Sequence, residues 1–293
     1  MPQSKPLLIA GATGYGVWPE NSLEGALRCL DAPVDGVEID VQLTADGHVV
    51  AHHDYRLSPD QTRLGEAWLD APSAPLKTLS LDELRLYDVG RSRPGSKDAA
   101  RRPEREQMDQ VRIPTLPELL AALAAARGPR RLIYVEIKTD PQNPRHAPPP
   151  AAIVGAVLRD LEAADYLDHA KIIAFDWQVL RLSRERHPGV RTAHLTIPDA
   201  LRSTVRLGPD GRSPWADGCD AADHGGSELR AIRAHGGVEW SPHYTEVTQQ
   251  TMAEARALGL RVGPWGLSKG ADIRRMSELG VYSSTVSGPD WGT

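Results

Sequence analysis

Two cysteines in 293 residues, Cys29 and Cys219, are too few and too far apart for a disulfide framework, and they form no CxxC pair of the kind that holds zinc. Cys29 falls in a helical pattern and is expected in the core as a small apolar residue. No stretch approaches the roughly 18 consecutive apolar residues of a membrane span, so none is expected. Positive charge is not in excess either. Lys and Arg total 34 against 39 Asp and Glu, a net charge of −5, which argues against nucleic acid as the main partner. The Arg-rich run at residues 91–105 is the one local exception and reads as a solvated loop. Residues 1–6 are too short and polar for the apolar centre of a secretory signal, and residue 7 onward reads as a strand. The expected location is therefore cytoplasmic. No GxGxxG or P-loop follows that strand, which counts against a doubly wound nucleotide-binding sheet.

What is present is alternation. Apolar strand-like runs exchange with helical patterns along the chain, the signature of a parallel α/β architecture. The length suits one (β/α)₈ TIM barrel of about 250 residues plus insertions, so residues 1–293 are expected to form a single barrel domain. Strands are expected at residues 7–11, 36–43, 49–53, 131–138, 171–175, 191–197, 238–241, 261–267 and 281–286. These are nine candidates for eight barrel positions, and residues 49–53, paired back on their neighbour, are the natural one to leave out. Helices are expected from Asn21 or Ser22 to about residue 30, and over 116–126, 151–164, up to about 186, 248–258 and 271–279. Residues 55–115, rich in Pro, Arg, Asp and Ser, break the pattern. They read as a long insertion over the C-terminal face of the barrel, where functional loops lie. A second insertion, residues 198–226, carries Trp215.

Side chains alternate along a strand, so in Gly36-Val-Glu-Ile-Asp-Val41 the carboxylates of Glu38 and Asp40 share one face while Val37, Ile39 and Val41 share the other. Two carboxylates on one face of an apolar strand are costly to bury alone. A divalent cation, Mg²⁺ or Ca²⁺, would offset that cost through oxygen ligands, as would salt bridges to neighbouring Arg or Lys. Residues 131–138 repeat the logic. Leu132, Tyr134, Glu136 and Lys138 fall on one face, with polar character growing toward the strand's C-terminal end, where barrel active sites lie. Glu136 can complete a metal site and Lys138 can meet an anionic group, or the two can pair with each other. His52 and His53 point to opposite faces. His53, followed by Asp54 at a strand end, is a candidate general acid or base.

Several of these segments resemble the glycerophosphodiester phosphodiesterase family of phospholipase C-like TIM barrels. Pro19-Glu20-Asn21-Ser22, residues 36–47 and His53-Asp54 are similar to its N-terminal signature. Val135-Glu136-Ile137-Lys138, Phe175-Asp176-Trp177 and Pro264-Trp265 are similar to its later blocks, in the same order. The resemblance implies a metal-dependent hydrolase of lipid metabolism that splits a small-molecule glycerophosphodiester into glycerol phosphate and an alcohol. It implies Glu38, Asp40 and Glu136 as ligands of Mg²⁺ or Ca²⁺ and His53 as general acid. Lys138 would then contact the phosphate, and Trp265 would pack against the glycerol.

The chain departs from the family where the first strand ends. The usual His-Arg-Gly is replaced by Gly11, Ala12 and Thr13, which removes one acid/base group and one phosphate-binding arginine. Water activated by the ion, or a loop histidine such as His224 or His243, could take over the proton transfer. Three readings follow: a metal-dependent phosphodiesterase with altered proton-transfer groups, an impaired barrel that binds a phosphorylated ligand, and a barrel enzyme of metal-assisted lyase or isomerase chemistry.

Overall fold

The computed structural model describes residues 5–126, 128–198, 201, 203–205, 208–288 and 290–291. The parts of the N-terminal segment and second insertion at residues 1–4, 199–200, 202 and 206–207 lie outside the described residues. The strands are β1 (Leu7–Ala10), β2 (Gly36–Leu43), β3 (Val49–Ala51), β4 (Arg63–Leu64), β5 (Ala67–Trp68), β6 (Tyr87–Asp88), β7 (Leu132–Ile137), β8 (Ala170–Ala174), β9 (Arg191–Thr196), β10 (Glu239–Pro242), β11 (Arg261–Val262) and β12 (Ser283–Val286). The helices are α1 (Leu23–Cys29), α2 (Leu81–Leu84), α3 (Lys97–Arg101), α4 (Leu116–Ala124), α5 (Pro150–Ala163), α6 (Trp177–Arg186), α7 (Glu228–Ala234), α8 (Gln249–Ala257) and α9 (Gly270–Leu279).

Eight of these strands pair in parallel in the order β11-β10-β9-β8-β7-β2-β1-β12. Backbone bonds from Tyr282 N to Val262 O (2.7 Å) and Thr285 N to Pro264 O (2.9 Å) join the two ends of that order. The result is the expected TIM barrel. The ninth candidate, β3, runs antiparallel to β2, with Val41 opposite Ala51, and stands outside the barrel order.

Alternation sorts the side chains into two cores. Val37, Ile39, Val41, Ile133, Val135 and Ile137 face the helices and join the larger cluster. Leu116, Leu119, Leu120 and Leu123 of α4 pack into it at helical spacing. Thr115 and Glu118 form a capping box at the start of α4 that satisfies its first amides. Ile9, Tyr134, Ile173, Ala193 and Leu195 form the smaller core inside the barrel. Cys29 is buried in the outer layer, as expected.

Leu57, Leu76, Leu81, Leu84 and Ile113 of the 55–115 insertion form a small core of their own around Val50 of β3. Beside it is a three-stranded sheet in the order β5-β4-β6. The Arg-rich run is not a solvated loop throughout. It forms α3, and Arg102 and Arg105 are 7% and 3% exposed. Arg102 pairs with Glu20 and Asp98, and Arg105 also reaches Asp98. For Arg102, acids placed 82 and four residues away in the chain are what allow it to be buried. The sequence reading also lacked helix α7, whose apolar content is short and carries no strong periodic signal.

At the N-terminal end of the barrel, Lys171 of β8 reaches Glu239 of β10 at 2.5 Å, both almost fully buried. The Lys171 ammonium also lies 3.9 Å from the ring centre of Tyr134. Removing one partner leaves a buried charge uncompensated. We predict that Glu239→Gln lowers unfolding free energy in urea by about 3–5 kcal/mol. The double variant Lys171→Met/Glu239→Leu should recover most of that loss, and equal losses in both variants would contradict this account.

Candidate active site

β2 and β7 are neighbours, and their register sets Asp40 opposite Glu136 and Glu38 opposite Tyr134. Because all four positions point inward, the carboxylates of Glu38, Asp40 and Glu136 converge. Ligand atoms of the three lie within 4.8 Å of one another, and the residues are 7%, 3% and 8% exposed. Each is held differently. Ala12 N donates to Glu38 Oε2 at 2.8 Å. Asn21 Nδ2 donates to Asp40 Oδ2 at 2.9 Å, while Asn21 Oδ1 accepts from Asp40 N at 2.9 Å. Lys138 Nζ sits 2.8 Å from Asp40 Oδ1 and also pairs with Glu136. Glu38 Oε1 is buried with no hydrogen-bond partner.

The Glu136–Lys138 pair foreseen from the sequence is thus present, and Lys138 bridges to Asp40 as well. One ammonium among three carboxylates leaves a deficit of positive charge. Burial, then Asp40, then Glu136 push the Glu38 carboxyl well above its usual range. Burial also dominates at Glu136, where the neighbouring Asp40 adds to it and Lys138 opposes it; the net shift is upward. At Asp40 burial raises, but Lys138, His53 and Asn21 together hold it below the ordinary aspartate value. Lys138 stays charged despite its burial, because Asp40 and Glu136 raise it.

His53, Lys138 and Trp265 all line the same cavity as the three carboxylates, a space of about 920 Å³. The structure therefore brings Glu38, Asp40, His53, Glu136, Lys138 and Trp265 together. His53 Nδ1 is 2.7 Å from Asp54 Oδ1. Lys138 and burial depress the imidazole, but Asp40 and the bond to Asp54 outweigh them and the net shift is upward. His52 points away and is buried, as alternation requires. Insertion residues including Lys97, Arg101 and Arg102 complete the mouth, which puts the insertion over the C-terminal ends of the strands. The loop histidines do not reach the cavity. His243 stands behind Trp265, with ring centres 4.9 Å apart, and neither it nor His224 is among the lining residues.

Asn21 escaped the sequence reading, which took it for a possible helix cap. The cap is Ser22, whose side chain accepts from Gly25 N, and Asn21 is free to clamp Asp40. The available signal in the sequence is an asparagine, a residue that tolerates left-handed backbone, just ahead of a serine able to cap by itself; the φ of Asn21 is 51°. Asp176 was also missed as a positioning group. It caps α6 and accepts from Thr139 Oγ1 at 2.8 Å, tying the ends of β7 and β8 together.

A model of the glycerophosphoryl diester phosphodiesterase family matches residues 11–286. The chain belongs to that family. Its class is accordingly that of the phosphoric diester hydrolases. A glycerophosphodiester phosphodiesterase of Caldanaerobacter subterraneus subsp. tengcongensis is 25% identical over 286 residues, covering 98% of this chain and 96% of that one. The crystal structure of a Silicibacter pomeroyi protein assigned to the glycerophosphoryl diester phosphodiesterases superposes with a TM-score of 0.86 at 29% identity, covering 100% of this chain and 93% of that one. An Oleispira antarctica phosphodiesterase, solved with its product sn-glycerol-3-phosphate, shares the fold at a TM-score of 0.67 and 17% identity, covering 97% and 93%.

Asp176 offers a test of the frame around the site. Burial raises its carboxyl from the ordinary 3.8 to about 6, against the opposing bonds from Thr139 and Gln178. A carboxyl with a raised folded-state pKa favours the protonated native form, so its contribution is present below pH 4 and is lost as pH rises through about 6. Asp176→Asn should therefore gain stability relative to the parent between pH 4 and pH 7.5, by about 2 kcal/mol. Thermal melts across that range would check it; a flat or opposite difference would disprove the assignment.

Proposed function

We propose that this protein hydrolyses glycerophosphodiesters with the help of a divalent cation, Mg²⁺ or Ca²⁺, held by Glu38, Asp40 and Glu136. The observation that carries the reading is Glu38 Oε1, a buried carboxylate oxygen with no partner beside two further carboxylates. A hard cation with oxygen ligands fits that donor set, and one ammonium does not balance it. When bound, the cation would stabilise charge on the phosphoryl oxygens and favour deprotonation of water.

The chain's own groups do the rest. The bond from phosphorus to the alcohol oxygen breaks, a water oxygen bonds to phosphorus and releases its proton to solvent, and His53 gives its proton to the departing alcohol. Asp54 keeps the imidazole oriented. Lys138, facing the cavity beside the carboxylates, takes up negative charge on the phosphoryl group. Trp265 packs against the glycerol. Gly11 and Ala12 supply no side chain that moves a proton, so the proton-transfer set is altered on the β1 side. The sn-glycerol-3-phosphate seen in the Oleispira antarctica enzyme is the product expected here. One barrel domain carries the activity, and two unpaired cysteines suit a cytoplasmic location.

Release of glycerol phosphate from glycerophosphocholine, after chelation and then with Mg²⁺ or Ca²⁺ restored, tests this directly. Restored metal should restore turnover, and Glu136→Gln should abolish that response. His53→Ala should lower kcat by roughly 10²–10⁴-fold, and by much less on a 4-nitrophenyl ester, whose leaving group needs no proton. Turnover indifferent to chelation would remove the metal. Tight binding of glycerol phosphate with no turnover under any condition would favour a ligand-binding barrel instead.

A further inference from the structure

The cavity has two unlike walls. The ends of β2 and β7, with the His53 loop, present carboxylates, an ammonium and an imidazole. Next to them and continuing round the barrel, Ile173 and Phe175 stand at the end of β8, Leu195 and Ile197 at the end of β9, and Trp265 beyond β11. Ile173 and Leu195 root this wall in the core inside the barrel. Phe175, Ile197 and Trp265 rise above it and are only half-buried.

This wall directs little polarity at a ligand. Trp265 Nε1 is turned to Thr196 O at 3.3 Å, and its ring meets Phe175 edge-to-face with centres 5.8 Å apart. Ser241, one of the hydroxyl residues lining the cavity, gives its Oγ hydrogen to Gly263 O at 2.7 Å. The polar wall can satisfy a phosphate and its glycerol hydroxyls. A cavity of about 920 Å³ lies at the upper end of the about 300–1,000 Å³ that holds drug-sized ligands. Glycerol phosphate alone would leave much of the apolar wall against water.

We propose that the alcohol half of the substrate carries an apolar alkyl or acyl group of several carbons, seated on Phe175, Ile197 and Leu195. This rests on the hydrolase reading above and specifies its substrate class. Water is the co-reactant and no further chemical step is required.

The test is a homologous series of glycerol-3-phosphate esters of methanol, butanol and octanol, kept below micelle formation, beside glycerophosphoethanolamine and glycerophosphocholine. Burial of each methylene should raise kcat/KM by roughly three- to fourfold until the wall is covered. Ile197→Asn should flatten that dependence on chain length. A flat series in the wild-type protein overturns the proposal while leaving the hydrolase reading intact. Preference for glycerophosphocholine over the butyl ester also overturns it, in favour of a cationic head group held by the aromatic rings. If no ester is hydrolysed, the hydrolase reading fails, and calorimetry with the matching alkyl phosphonates decides. A Kd that falls with chain length supports the apolar wall, and a constant Kd overturns it.

Discussion

Three carboxylates within 4.8 Å of one another, in a wall that water barely reaches, repel each other by several kcal/mol per pair at the effective dielectric of a protein. The local structure is arranged around that repulsion. Lys138 bridges two of the three, an amide N–H serves the third, and Asn21 holds Asp40 from both its backbone and its side chain. The balance is still incomplete, which is why Glu38 is pushed toward its neutral form. A site with this deficit is disposed to accept positive charge. The same crowding would be a pure cost if the residues served only the fold.

The barrel makes such crowding possible by separating tasks along each strand. Outward positions on β2 and β7 are Val and Ile and belong to the core beneath the helices. Inward positions change character with height. Near the N-terminal end they hold the buried Lys171–Glu239 ion pair, with the Tyr134 ring against the ammonium. Apolar residues fill the middle. At the C-terminal end the carboxylates emerge on one side and the aromatic wall on the other. Stability and site chemistry are therefore carried by different levels of the same strands. Substitution at one level need not perturb the other.

Much of this was legible from period-two alternation. That Glu38 and Asp40, and likewise Glu136, lie on the strand face away from the Val and Ile residues followed from spacing alone, and β3 was already the candidate to leave the barrel. Distances between strands were not legible, because the Asp40–Glu136 register depends on pairing across nearly a hundred residues. For the same reason Arg102 and Arg105 looked like solvated charges. Their burial depends on Glu20 and Asp98, and Glu20 is distant in sequence. Asn21 was misread because a polar residue before a helix has a local explanation, capping, that hides a long-range one. The family resemblance pointed to residues that line one cavity; it did not reveal what Lys138 and Asn21 do to the carboxylates' charge.

The end of β1 shows how the carboxylate cluster persists without polar side chains at residues 11 and 12. Ala12 and Thr13 adopt left-handed backbone, φ 44° and 56°, a conformation that costs a residue with a Cβ roughly 1–2 kcal/mol. The cost is offset by what the turn delivers. Gly14 N and Tyr15 N both return to Gly11 O, closing the turn, and Asn21 N donates to Ala12 O at 2.9 Å. The turn thus aims Ala12 N at Glu38 and fixes Asn21, which in turn fixes Asp40. At residues 11 and 12 themselves, these links use only peptide groups. Side-chain identity at residues 11 and 12 is therefore uncoupled from the geometry of the carboxylates. With Gly11 and Ala12 at these positions, no side chain there moves a proton or holds a phosphate, and the carboxylate cluster is held through the backbone all the same.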